Sequence, residues 1–304
     1  MTQSPVAPRN GRAAEHNLPS TWRERFIDAG AMSLHAIEAG DPQAPLLLLL
    51  HGFPEFWFAW RRHIEPLATA GYHVVAIDQR GYNLSTKPSE VAEYKLVLLR
   101  NDIIHVLDAL GAKRAYVMAH DWGGHVAWSV AEHHADRIER LVVLDAGHPV
   151  VMMRNFLTNP RQLLKSWYGI VLQIPWLPER ILSVRGYARL RDAITWNGDE
   201  GPPSAEENHA YVAAWSRDGA LSSMINWYRA LGRTWPDLSK PRIQVPTLLL
   251  WGTRDQFLDR DVATESIALC NDGRVVYLDG THWVHHERPA LVREHALTFF
   301  AGKT

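Results

Sequence analysis

Apolar positions along this chain follow two rhythms. A fully apolar run at residues 45–50 and mainly apolar runs at 72–77, 115–119, 138–144 and 245–251 read as buried strands of a parallel sheet. Between them the apolar residues recur at helical spacing. Phe56, Trp57, Ala59, Trp60, Ile64 and Leu67 predict one amphipathic helix. Ile103, Ile104, Val106, Leu107 and Leu110 predict another over 102–110, stopped by Gly111. Two earlier segments, 25–29 and 32–39, read as strands joined by a glycine-containing turn. Strands alternating with helices in this way predict an α/β fold, a mostly parallel sheet with helices on both faces.

The rhythm breaks after Asp145. From about 147 to 235 there is no comparable strand run, and helical pieces are interrupted by Pro149, Pro160, Pro175, Pro178, Pro202 and Pro203. This stretch reads as a helical cap inserted over the C-terminal edge of the sheet. The alternation resumes with the strand at 245–251, a helix near 262–269, a strand at 274–278 and a last helix at 289–300. The division is therefore a flexible arm at 1–21, a core at 22–146 and 239–304, and a cap at 147–238.

The candidate chemistry gathers where strands end. The run at 115–119 leads into His120-Asp121-Trp122-Gly123-Gly124 and then into helically spaced Val126, Ala127, Val130 and Ala131. Strand, sharp turn and helix, with small residues beside the turn, is the setting of a nucleophile elbow. Its tip here is Asp121, not serine. A carboxylate is a poor acyl acceptor, but it can displace a leaving group at saturated carbon and form an ester. That points to an epoxide or an alkyl halide as substrate. An aspartate at this position could also simply cap the helix that follows.

Hydrolysing such an ester needs a general base and a carboxylate to orient it. The strand at 245–251 ends in Gly252-Thr253-Arg254-Asp255, and the strand at 274–278 ends in Asp279-Gly280-Thr281-His282. Asp121, Asp255 and His282 thus appear in the order nucleophile, acid, base. Asp145 also follows a strand directly and is the alternative acid. His51-Gly52-Phe53-Pro54 closes the first buried strand, so the Phe53 and Trp122 amides are candidates for an oxyanion hole.

Bulk properties narrow the class. The chain has 304 residues, a net charge of −1 and no basic stripe, which argues against a nucleic-acid partner. No apolar run is long enough to span a bilayer, so no membrane partner is expected. One cysteine, Cys270, rules out an intrachain disulfide and fits a cytoplasmic setting. Thirteen tryptophans suggest a large apolar pocket. The adjacent histidines His133-His134 and His285-His286 read as solvated helix ends, and His120 and His148 as packing residues, so no metal is implied.

These motifs resemble the soluble epoxide hydrolases of the α/β-hydrolase superfamily, over most of the chain after about residue 22. They are His51-Gly52-Phe53-Pro54, His120-Asp121-Trp122-Gly123-Gly124, Trp251-Gly252 through Asp255, and Gly280-Thr281-His282-Trp283. The resemblance implies an eight-stranded, mostly parallel sheet with an inserted cap, and no cofactor. It assigns Tyr168, in Ser166-Trp167-Tyr168-Gly169, and Tyr228, in Asn226-Trp227-Tyr228-Arg229, to the activation of an epoxide oxygen. A phenol stays protonated at neutral pH and can donate to the developing alkoxide. Trp57, Trp167 and Trp283 are expected in the substrate pocket. Two departures stand out. Thr281 separates the usual Gly-His pair, and Asn83 stands where many members have glycine, a position compatible with a left-handed turn.

Haloalkane dehalogenases share the core motifs. Many of them pair a tryptophan at position 122 with an asparagine at position 53 or with a cap tryptophan; Phe53 removes the first option and Trp167 leaves the second. Haloacetate dehalogenases carry arginines where Trp122 and His125 stand. A non-catalytic binding protein of the same fold is a third reading. The expected partners are a small apolar epoxide and water, with the chain a monomer or a homodimer.

Overall fold

The computed structural model describes residues 18–199, 201–231, 233 and 242–303. The first seventeen residues of the expected arm and the expected boundary between cap and core near residue 238 lie outside the described residues. Two antiparallel strands open the fold, β1 (Trp22–Ala29) and β2 (Met32–Ala39). Then follow β3 (Leu46–Leu50), α1 (Arg61–Thr69), β4 (His73–Ile77), α2 (Leu96–Ala109), β5 (Ala115–His120), α3 (Asp121–His133) and β6 (Ile138–Leu144). Six helices come next: α4 (Pro149–Thr158), α5 (Pro160–Lys165), α6 (Trp167–Val171), α7 (Leu177–Ala193), α8 (Ala205–Trp215) and α9 (Ala220–Leu231). The chain returns to the sheet with β7 (Thr247–Gly252), α10 (Arg260–Ile267), β8 (Gly273–Leu278), α11 (Val284–Glu287) and α12 (Pro289–Phe300).

The eight strands form one sheet in the order β1-β2-β4-β3-β5-β6-β7-β8, and only β2 runs against the others. All five leucines of β3 are buried, as an unbroken apolar run in a central strand requires. The connections leave β3 towards β4 on one side and return to β5 on the other. The crevice at the C-terminal ends of β3 and β5 is thus the point where strand order reverses, which is where open α/β sheets bind ligands.

Two helices differ from their expected spans for identifiable reasons. The aromatic segment after β3 begins as a tight 3-10 turn, Trp57–Trp60, before α1, because the Trp57 amide is held by Asp78 Oδ1 at 2.8 Å. Helix α2 starts at Leu96, a turn and a half before Asp102. Asp102 is no cap; it is buried inside the helix and receives Arg80 Nε at 2.8 Å and Nη2 at 2.5 Å. Among the described residues no helix is long and apolar enough to cross a membrane.

The β5–α3 turn leaves no room for side chains beside it. Asp121 sits at φ 48, in the left-handed region that non-glycine residues rarely occupy. A Cβ on Gly123 would lie 2.5 Å from the His51 and Leu50 carbonyl oxygens, and one on Gly52 would lie 2.5 Å from the Asp121 Cβ. Overpacking of this kind costs about 1–3 kcal/mol. Gly123→Ala is therefore expected to lower the unfolding free energy by about that amount in urea titration; a midpoint equal to that of the wild type would contradict the packing described.

Candidate active site

Three strand ends bring the expected triad together. The Asp121 carboxylate receives the Phe53 amide on Oδ1 at 2.8 Å and faces His282 Nε2 across 3.6 Å with Oδ2. His282 Nδ1 lies 2.8 Å from Asp255 Oδ2. The other Asp255 oxygen accepts the Phe257 and Leu258 amides at 2.7 and 2.9 Å, which fixes the carboxylate in place. Of the two expected oxyanion-hole amides, that of Phe53 is thus already aimed at an Asp121 oxygen. Trp122 is the second residue of α3, and amides in a helix's first turn have no intrahelical acceptor.

Asp145 is not the residue that orients His282. Its Oδ1 accepts the Gly252 amide at 2.7 Å, while Oδ2 has no hydrogen-bond partner. Burial and the neighbouring Asp255 carboxylate push its pKa well above the ordinary aspartate value. The acid therefore sits where burial favours the neutral form, beside an Asp255 that already holds the imidazole.

Thr281 precedes His282, and the structure shows what holds it. Glu287 of α11 accepts the Thr281 amide at 2.6 Å and the Thr281 hydroxyl at 3.0 Å. The turn before His282 is therefore pinned by two hydrogen bonds. Asn83, the other departure, does adopt the left-handed conformation, at φ 41.

Opposite charges set the protonation states. Burial alone would raise the Asp121 pKa, but the hydrogen bond and charge of His282 outweigh it, with help from His120 and the Phe53 amide, and bring it down to about 2. Burial works against the His282 imidazolium, yet the Asp255 and Asp121 carboxylates on either side lift its pKa well above the usual histidine range. The resting pair is thus a carboxylate and an imidazolium.

Both cap tyrosines reach the site. Asp121, His282, Tyr168 and Tyr228 line one cavity of about 670 Å³, with Phe53, Trp167 and Trp283 also in its wall. The Tyr228 ring packs edge-on against Phe53 at 5.1 Å and Trp122 at 4.9 Å, and Tyr168 lies 6.0 Å from Tyr228. Arg229 ties this corner of the cap together: it donates to the Leu172 and Ile174 carbonyls and pairs with Glu179 at 2.7 Å. Burial pushes both phenols up, with the Asp121 carboxylate adding to the effect, so both are protonated donors.

Two expectations fail. Trp57 does not line the cavity; it is buried between Trp22, Phe56 and Phe58, where its amide anchors the turn after β3. His285 and His286 are not solvated helix ends. Both are buried, and both bring Nε2 to Glu55 Oε1, at 3.1 and 2.7 Å. The helix that carries them is only one turn long, so residues adjacent in sequence reach the same carboxylate. His120 meets the other Glu55 oxygen at 2.9 Å, and its Nε2 lies 3.0 Å from the His282 carbonyl oxygen. Burial opposes the Glu55 charge, but these histidines lower its pKa well below the ordinary range. Glu55 follows the His51-Gly52-Phe53-Pro54 motif by one residue, and that proximity was the available signal for it. Phe257 was also missed; its ring lies 5.1 Å from His282. It follows Asp255 in a loop with no periodicity to mark it.

This arrangement offers a desolvated carboxylate nucleophile, an imidazole backed by a second carboxylate, an amide donor and two phenol donors around one apolar space. Removing the imidazole leaves burial as the main influence on Asp121, so in His282→Gln its carboxyl is expected to titrate above 3.8. A 13C carboxyl titration by NMR checks this; a midpoint remaining near 2 would contradict the balance described. The linkage has two signs. Asp121, lowered, stabilises the fold above its unfolded value and loses that contribution as pH falls towards about 2. His282, raised, stabilises it below 6.5 and loses that contribution as pH climbs through its folded value.

The comparisons agree on a family. Residues 45–193 match the model of the α/β hydrolase fold family. The AB hydrolase superfamily protein YfhM of Bacillus subtilis is 40% identical over 92% of this chain and 98% of its own length. Human epoxide hydrolase 4 is 37% identical over 92% of this chain and 78% of its own length. The crystal structure of Bacillus megaterium epoxide hydrolase in complex with an inhibitor superposes with a TM-score of 0.82, at 27% identity, covering 92% of this chain and all of that one.

Proposed function

This chain belongs to the epoxide hydrolases of the α/β-hydrolase family, and from that premise we propose that it converts an apolar epoxide and water to a vicinal diol through an aspartyl ester. The observation that carries the reading is the shared cavity, in which two protonated phenols face the same space as the Asp121 carboxylate and His282. We assign residues 147–238 as the cap that supplies the phenols and residues 22–146 and 239–304 as the core that supplies the triad. We also place the protein in the cytoplasm, where Cys270 stays a thiol.

The steps follow from charge and geometry. Asp121 Oδ1 is occupied by the Phe53 amide, so Oδ2 attacks the epoxide carbon. The carbon–oxygen bond breaks, and the new alkoxide takes a proton from Tyr168 or Tyr228. Esterification removes the Asp121 charge, and with it one of the two carboxylates that hold the His282 proton. The imidazolium then returns a proton to the tyrosinate and becomes a base. Held by Asp255, it takes a proton from water as the oxygen attacks the Asp121 carboxyl carbon. The oxyanion forms on Oδ1 against the Phe53 and Trp122 amides. Collapse expels the second alcohol, which takes the proton back from His282. Asp121 is left as the acid and, with its low pKa, returns its proton to His282. The Glu55–His120 pair braces this base from behind through the His282 carbonyl.

The halide reading finds less support. The Trp122 ring packs edge-on against Tyr228 at 4.9 Å, and Trp167 is 63% exposed beside the cavity. Neither indole is a dedicated halide donor. Turnover with aromatic and aliphatic epoxides beside bromo- and chloroalkanes separates the readings: diol without halide is expected, and halide without diol would overturn the proposal. His282→Gln should accumulate a covalent adduct on Asp121 visible by intact-mass spectrometry, whereas an adduct-free protein after substrate exposure would count against the ester. Tyr168→Phe with Tyr228→Phe should lower the rate of epoxide opening by roughly 10²–10⁴-fold in single-turnover kinetics; an unchanged rate would remove the tyrosines from the scheme.

A further inference from the structure

Exposed apolar residues are concentrated on one part of this molecule. Of eleven large hydrophobic residues left exposed among the described residues, eight lie between Leu157 and Val184, on α4 to α7. Leu164 is 75% exposed, and Trp167 and Trp176 are each 63% exposed. Isolated exposed hydrophobics are ordinary, but a cluster of this kind marks an interaction surface. Trp176 adds a second cost. It sits at φ 57 just before α7, a strained backbone that leaves an indole in solvent.

Charge is concentrated there too. The chain as a whole has a net charge of −1, yet residues 154–192 contain seven Lys and Arg against two Asp and Glu, a net of +5. Arg161, Arg180, Arg185, Arg189 and Arg191 are exposed, and none of them pairs with a carboxylate among the described residues. Leu164, Trp167 and Arg189 also line the cavity that holds Asp121. Part of this apolar and basic surface therefore borders the cavity.

We propose that the α5–α7 face of the cap docks on an anionic lipid surface, with Trp176, Ile170 and Leu164 entering the headgroup region and the exposed arginines meeting lipid phosphates. Tryptophans beside cationic side chains suit such an interface. A second copy is the poorer occupant, because a two-fold pair would set one row of exposed arginines against another. A protein seated here would close the mouth. A bilayer leaves apolar molecules dissolved in it next to the opening, and this last point alone rests on the proposed epoxide reading. Peripheral docking of this kind needs no spanning helix, which was the basis for expecting no membrane partner.

Vesicle co-sedimentation of the full chain tests the proposal, using phosphatidylcholine alone and phosphatidylcholine with about one third phosphatidylglycerol. The protein is expected to sediment with the anionic vesicles at low salt, to be released by high salt and to leave neutral vesicles largely unbound. Each neutralised arginine should cost about fivefold in partitioning, so Arg180→Gln with Arg185→Gln should lower it by roughly 30-fold. Ile170→Ser with Trp176→Ser should lower it as well, and both variants should retain the wild-type melting temperature and epoxide turnover. Equal sedimentation of wild type and variants, or none at low salt, would overturn the proposal. So would a dimer in analytical ultracentrifugation that Trp176→Ser dissolves, since the face would then belong to a second copy. Vesicle binding is read without turnover, so its failure is distinct from failure of the proposed reaction.

Discussion

The β5–α3 turn is the constraint from which the rest of the site follows. A left-handed aspartate at φ 48 is tolerated only because the backbone closes on it from two sides. Gly123 lets the helix start pass beneath the β3 carbonyls, and Gly52 lets the end of β3 pass the Asp121 side chain itself. That approach brings the Phe53 amide to one carboxylate oxygen and leaves the other free. The parallel register of β3 with β5 then decides which strand ends face each other, and β7 and β8 bring in Asp255 and His282. The strained turn is thus maintained by the whole sheet, and the reactive group need not maintain its own geometry.

Around that turn the charges alternate. Asp255, His282 and Asp121 form a line of carboxylate, imidazolium and carboxylate, so each member stabilises the charged form of the next despite burial. A second cluster lies behind it. Glu55 collects His120, His285 and His286, and His120 touches the His282 backbone. The buried acid is compensated by neighbours drawn from two separate segments of the chain, the end of β5 and α11. Asp145 completes the picture by contrast. Lacking a cation of its own, it is the carboxyl that burial drives towards neutrality.

The cap acts on this core through aromatic packing. Tyr228 is wedged between Phe53 and Trp122, and Tyr168 leans on Phe257, so the two phenols are positioned by residues adjacent to the triad. Arg229 fastens α9 to the corner between α6 and α7. Helix α6, which carries Tyr168, also leaves Trp167 and Ile170 exposed, and Leu164 and Trp167 continue that apolar surface into the cavity wall.

Much of this was legible in the sequence. Apolar pattern placed the central strands most directly, because a strand buried on both faces, such as β3, must be apolar throughout. The order of Asp121, Asp255 and His282 after three strands named the triad, since parallel strands deliver their C-terminal turns to one edge. The sequence favoured Asp255 and kept Asp145 as the alternative, because both follow strands and only the side-chain hydrogen bonds separate them. The Glu55 cluster and the displacement of Trp57 from the pocket escaped for the same reason. A histidine pair on an exposed helix end and one buried against a carboxylate have the same letters, and an aromatic residue after a strand can face either the pocket or the core. Local pattern thus determined the elements and the candidate site residues in this protein. Tertiary packing decided which carboxylate meets His282, which histidines are buried and which aromatics line the cavity, because those depend on contacts between segments that no local period records.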